Sequence, residues 1–195
     1  MKILLYSFVT KEFLYKTDNT LIKSSREFFI PVTVTALSVT PALVFRIDKS
    51  AKYVSAKFAH RYYSQMAVGL NLYPVNLIPL ATDYKGNGYL PGSVAFTMDN
   101  TSFISEEMCP VKALFNRESG IELIFRTGSE IREFSAKDLP RKEELNSIIE
   151  SSTINTTLKS GDLIYLELCA PVSVSAGDYV ALDHISGSPV ELFIR

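Results

Sequence analysis

The sequence predicts a β-rich α+β fold, and three observations predict it. Short segments with period-two alternation or β-branched, apolar content recur along the chain. Clusters of Gly, Pro, Asn and Asp separate them as turn signals. Only two stretches carry the spacing of an amphipathic helix.

The elements follow in order. Residues 1–9 are short for a signal peptide, carry Tyr6 and Ser7, and run into Lys11 and Glu12 without a small-residue cleavage site; they read as a first strand. Residues 32–40 alternate and 43–47 are apolar, so both read as strands, divided at Pro41, which cannot donate to a ladder. Residues 55–66 read as a helix: Ser55 suits the cap, and Phe58, Ala59, Tyr62, Tyr63 and Met66 share a face. Further strands are expected at 67–72, 93–98, 121–126, 163–168, 172–175, 179–183 and 190–194. The second helix is expected over 140–151, with Pro140 at its start and Leu145, Ile148 and Ile149 as its apolar stripe. No repeat or linker interrupts the 195 residues, so one domain spanning 1–195 is expected.

Composition excludes several classes. Hydrophobic residues make up 47% of the chain, enough for a packed core. Lys and Arg number 20 against 21 Asp and Glu, a balance unlike that of a nucleic-acid binder. The one membrane-span candidate, 28–47, contains Pro31 and Pro41 and alternates as a strand does, so no membrane partner is expected and the location expected is cytoplasmic. Cys109 and Cys169 sit among apolar residues without metal-ligand spacing and read as reduced, buried thiols.

Little in the sequence advertises chemistry. The histidines are His60 and His184, and neither stands beside a nucleophile motif. Gly86-Asn87-Gly88 is a turn and not a phosphate loop, and zinc motifs are absent. Between Phe28 and Thr82 the sole carboxylate is Asp48.

Three segments carry a resemblance. They are Phe58-Ala59-His60-Arg61-Tyr62-Tyr63 with Val68-Gly69-Leu70-Asn71-Leu72, Thr157 to Tyr165 with its Ser160-Gly161-Asp162 turn, and Ala176-Gly177-Asp178-Tyr179-Val180. In this order, with Leu21-Ile22-Lys23, Phe28-Phe29-Ile30-Pro31 and Tyr84-Lys85-Gly86 around them, the chain resembles the short members of the fumarylacetoacetate hydrolase family over most of its length. The resemblance implies a mixed β roll or barrel with a few short helices, and a homodimer.

It also implies a chemistry. Family members hydrolyse, isomerise or decarboxylate small oxo or diketo acids with a magnesium or manganese ion acting as Lewis acid. The ion is held by a Glu-x-Glu pair and a later Asp, as a hard cation requires. Matched residue by residue, those ligands fall on Thr40, Ala42 and Asn71, none of them a carboxylate. The family's N-terminal His has no counterpart before His60, its Arg-Asp becomes Val75-Asn76, and its Gly-Thr-Pro is replaced near Leu168-Cys169-Ala170-Pro171. The active-site Lys is matched by Lys85.

The expectation is therefore a catalytically degenerate relative with a binding or assembly role, with no metal ligands and no cofactor. Lys85 is the candidate catalytic residue. Thr40, Ala42, Asn71 and Tyr73 line a vestigial pocket suited to a small carboxylate. The alternative is a divergent enzyme on oxo or diketo acids, relying on Lys85 or on an ion held by Asp83, Glu106 or Glu107.

Overall fold

The computed structural model describes residues 1–22, 26–78, 95–115, 123–128, 130–184 and 188–195. Among them, two sheets account for most of the structure. The larger contains β1 (Lys2–Tyr6), β2 (Phe13–Thr17), β3 (Leu21–Ile22), β5 (Leu37–Ile47), β6 (Tyr63–Pro74), β7 (Ser102–Ile104), β8 (Cys109–Pro110), β11 (Leu163–Glu167) and β12 (Val172–Val174). Its main path is β2-β1-β11-β5-β6-β7-β3, mixed in direction, with β1–β11 and β3–β7 parallel and the other pairs antiparallel. The smaller is ordered β10-β9-β13-β14-β4, from β4 (Glu27–Phe28), β9 (Leu123–Thr127), β10 (Glu130–Phe134), β13 (Tyr179–His184) and β14 (Val190–Ile194). Helices are few: α1 (Ala56–Ala59), α2 (Lys112–Phe115) and α3 (Lys142–Asn155), besides a helical stretch at 95–97. The β-rich α+β reading and its roll of mixed sheet are what the structure shows.

The larger sheet cannot be flat. Its terminal strands β2 and β3 are joined only by the one-turn 3-10 helix Asp18–Thr20. Six strand spacings of about 4.8 Å would hold them about 29 Å apart in a flat sheet, whereas three residues reach about 10 Å. The sheet therefore curls until its ends meet, with the turn as seam.

Alternation then sorts side chains cleanly. Leu43, Phe45, Val68, Leu70, Leu72, Ile164 and Leu166 point outward and pack with Phe125, Leu182 and Leu192 of the smaller sheet and with Leu145 and Ile149 of α3. Ile3, Leu5, Ala42, Val44, Tyr73, Leu163 and Tyr165 fill the inside of the curl. Gly69 belongs to the inner face. A Cβ there would lie 2.7 Å from Phe103 O and from Val44 Cγ2, so glycine is what lets β7 approach.

Three sequence expectations are corrected. Pro41 does not divide two strands: β5 runs through it, while residues 32–36 are not strand. Pro41 sits where β5 changes partner from β11 to β12, and its carbonyl accepts from Leu168 N, so its missing donor faces the gap between two partner strands. The helix expected over 55–66 is only four residues long, because Tyr63 opens β6; Met66, Val68, Leu70 and Leu72 have period two, and the long ladder with β5 outweighs the local i, i+4 pattern. Residues 95–97 of the strand expected over 93–98 are helical. The later strands and α3 form close to their expected positions. Both cysteines are free thiols, Cys169 buried and Cys109 half-buried.

Candidate functional site

The inner face of the curl carries a polar centre in an otherwise apolar interior. Register places it: Thr40 stands opposite Asn71 across β5 and β6, Asn71 opposite Ser102 across β6 and β7, and Glu167 opposite Ala42 at the end of β11. Lys16 enters from β2, opposite Ile3. Thr40, Ala42, Asn71, Thr101 and Ser102 are wholly buried, Lys16 is 2% exposed and Tyr73 and Glu167 7%.

The polar groups form two clusters. In the first, Thr40 Oγ1 donates to Glu167 Oε1 at 2.9 Å and the Tyr73 hydroxyl donates to the same oxygen. The backbone N–H of Phe8 donates to Glu167 Oε2 at 3.0 Å, so the turn after β1 closes over the carboxylate. In the second, Lys16 Nζ donates to Asn71 Oδ1 at 2.6 Å, Thr101 Oγ1 at 3.0 Å and Ser102 Oγ at 3.1 Å, with Thr101 O at 3.3 Å. Among the described residues, Asn71 Nδ2 is buried without a hydrogen-bond partner. The Tyr73 ring links the clusters, its centroid 5.9 Å from Lys16 Nζ.

Burial and charge set the protonation states. Desolvation pushes Lys16 down to about 7, and the negative charge of Glu167 opposes that fall. Tyr73 is pushed well above the usual phenol range, first by burial and then by Glu167, so it stays a donor. Beside Glu167 a cleft of about 200 Å³ opens to solvent, with Lys11, Lys137, Arg141 and Glu144 on its walls.

The structure thus brings Thr40, Ala42, Asn71 and Tyr73 onto one inner face. Lys85 and Asp83 lie outside the described residues, while Glu106 and Glu107 lie beyond β7, on the way to β8. His60 is exposed just after α1. Lys16 and Glu167 were missed in the sequence. Glu167 carried a signal, as the single charge in the apolar run from Leu163 to Ala170. Lys16 carried almost none, because a lone lysine near the end of a short strand, flanked by Tyr15 and Thr17, reads as surface.

Comparison with solved structures places this geometry. A protein assigned to the fumarylacetoacetate hydrolase family from Yersinia pestis CO92 superposes with a TM-score of 0.76 at 19% identity, covering 100% of this chain and 92% of that one. This chain has the fumarylacetoacetate hydrolase fold. A fumarylpyruvate hydrolase from Pseudomonas aeruginosa in complex with Mn2+ and pyruvate shares the fold at a TM-score of 0.78 and 14% identity, over 99% of this chain and 88% of that one. A 2-hydroxyhepta-2,4-diene-1,7-dioate isomerase from Mycobacterium marinum shares it at 0.76 and 14%, over 99% and 73%. At the level of sequence, no family model and no curated protein matches.

The Mn2+ of the Pseudomonas protein corrects one expectation. A cofactor-free centre is not what the fumarylacetoacetate hydrolase fold predicts, since a protein of this fold holds a metal. The donor set in this chain is nonetheless different in kind. Thr40, Ala42 and Asn71 contribute no carboxylate, Glu167 is engaged by three donors, and Lys16 adds a cation. Among the described residues no group of three or more His, Cys, Asp or Glu is placed to hold a metal ion. A hard divalent cation requires oxygen ligands that offset its charge, and the groups at this centre do not fit one. Among those residues, too, no helix is long and apolar enough to cross a membrane.

Proposed function

We propose that this chain is a catalytically degenerate version of the fumarylacetoacetate hydrolase fold, working as a cytoplasmic homodimer in a binding or assembly role. One observation carries the reading: the two inward charged groups are each engaged by neighbouring side chains or backbone, leaving the Asn71 Nδ2 amide as the unpaired polar atom among these described residues. Glu167 is held by Thr40, Tyr73 and the Phe8 N–H, and Lys16 by Asn71, Thr101 and Ser102. Catalysis on an oxo acid needs groups free to engage the substrate as charge develops. Here those groups are committed to the interior. A small carboxylate ligand would instead meet the cleft beside Glu167, where Lys11, Lys137 and Arg141 supply positive charge.

A second reading, a divergent enzyme on small oxo or diketo acids, is favoured by one feature. Lys16, held down at about 7 by burial, is poised for proton transfer near neutral pH. One assay decides between them. Purified chain with added Mn2+ or Mg2+ is incubated with acylpyruvates and oxaloacetate, and substrate loss is followed by absorbance. The degenerate reading expects no rate above the metal-only background. Turnover that Lys16→Met abolishes would establish the second reading and overturn the first.

A further inference from the structure

We propose that Asn71, Thr101 and Ser102 form an oxygen cradle for a small cation, and that the Lys16 ammonium is its tethered occupant, a primary-ammonium site that pins the two ends of the curled sheet together. The proposal stands whether or not the chain turns over an oxo acid.

Proton bookkeeping supports it. The Thr101 hydroxyl donates to Met98 O at 2.9 Å, so toward Lys16 it can only accept. The Thr20 hydroxyl donates to Thr17 O at 2.8 Å, so the one Ser102 proton goes to Thr20 Oγ1 at 3.3 Å or to Asn71 Oδ1 at 3.5 Å, and either way Ser102 Oγ presents a lone pair to Lys16. Asn71 Oδ1 is an acceptor by nature. Three acceptors therefore converge on Nζ, with Thr101 O as a longer fourth. An ammonium brings three N–H donors and satisfies all three. A neutral amine brings two and would aim its lone pair at an acceptor. The negative charge of Glu167 lies across the Tyr73 ring from this point.

The position is as telling as the chemistry. Lys16 stands on β2, the first strand of the sheet path, and the cradle stands on β6 and at the start of β7, toward the other end. Thr20, in the turn that leads from β2 to β3, closes the seam from the chain side by sharing a hydrogen bond with Ser102 Oγ at 3.3 Å. The ammonium carries a polar contact across the interior between the two ends. A lysine on the same strand turned outward would leave Asn71 Oδ1, Thr101 Oγ1 and Ser102 Oγ facing one another around a buried void, a set of acceptors short of donors.

The test removes the tether and returns the cation. Lys16→Ala deletes Cγ, Cδ, Cε and Nζ, which n-propylammonium replaces atom for atom. Thermal unfolding of Lys16→Ala is followed with n-propylammonium, and with 1-propanol and tetramethylammonium as controls at matched concentration. The expected result is a lowered Tm, of which n-propylammonium at saturation recovers about half while the controls recover little. Equal recovery by 1-propanol means that only apolar volume was missing, and it overturns the cradle; so does the absence of recovery by any of them. If Lys16→Ala does not fold, the wild-type chain decides. At about pH 6, where an ammonium cradle keeps its occupant charged, the 15N resonance of Lys16 Nζ should be that of a slowly exchanging ammonium. A neutral-amine resonance there overturns the proposal.

Discussion

Lys16 Nζ lies 2.6 Å from Asn71 Oδ1, joining residues 55 apart in sequence and strands from the two halves of a sheet path. The contact is buried on every side, so both its charge and its geometry have measurable consequences.

The first consequence is a pH dependence. The folded pKa of Lys16 is lowered from 10.5 to about 7. Below about pH 7 the lysine is protonated in both folded and unfolded chains, and the full cost of burying its charge is present. Between about pH 7 and about pH 10 the unfolded chain binds more protons than the folded one, so stability rises with pH. Above about pH 10 the trend reverses, because Tyr73 and Tyr165 stay protonated in the fold while unfolded tyrosines ionise. Urea unfolding midpoints measured across this range should climb and then fall for wild type, and Lys16→Met should lose the climb.

Tyr73→Phe removes the hydroxyl that donates to Glu167 and leaves Thr40 Oγ1 and Phe8 N as its donors. A hydrogen bond to a buried charged group contributes about 1.5–3 kcal/mol. The variant should lose about 2 kcal/mol in chemical denaturation without a change in m-value. A loss below about 0.5 kcal/mol would mean that the Tyr73 hydroxyl does not hold Glu167 in the fold.

Gly69→Ala tests how tightly the curl is drawn. The added methyl meets backbone at Phe103 O and the Val44 side chain, both at 2.7 Å, with Tyr165 Cε1 at 3.0 Å. Overpacking of this kind costs about 1–3 kcal/mol, and here backbone must move, so the upper end is expected. The measurement is the denaturation midpoint, with Gly177→Ala as comparison, where a Cβ meets nothing within 4 Å and only the φ of 97° is strained.

Changing Thr40→Glu, Ala42→Glu and Asn71→Asp together supplies the carboxylates that the family resemblance places at these positions. With Lys16 kept, its ammonium competes with a metal ion for the carboxylate introduced by Asn71→Asp. Adding Lys16→Ala should therefore strengthen Mn2+ binding at least about tenfold in calorimetric titration, since hard-cation affinity follows ligand charge. Equal affinity with and without Lys16 would show that the lysine does not occupy the ion's approach.

The dimer is a separate matter, read from the resemblance and from the apolar content of a chain with little net charge. Light scattering at micromolar concentration should give twice the 21.8 kDa of one chain. A monomer would remove the homodimer from the proposed function and leave the interior of the fold untouched.

The sequence by itself determined the fold class, most of the later strands and the second helix, because these depend on local alternation, turn residues and caps. That Thr40, Ala42 and Asn71 stand where the family carries carboxylates was read from the resemblance, and their sharing one inner face came from the register of β5 and β6. Tertiary structure alone decided three things. It turned residues 63–66 from helix to strand, because the ladder with β5 outweighs the spacing of Tyr62 and Met66. It carried β5 through Pro41, because the missing donor falls at a change of partner strand. And it brought Lys16 to Asn71 and Glu167 to Thr40 and Tyr73. That last step depends on the curl of a seven-strand path, a sum of many small twists and one short seam, which no local pattern encodes.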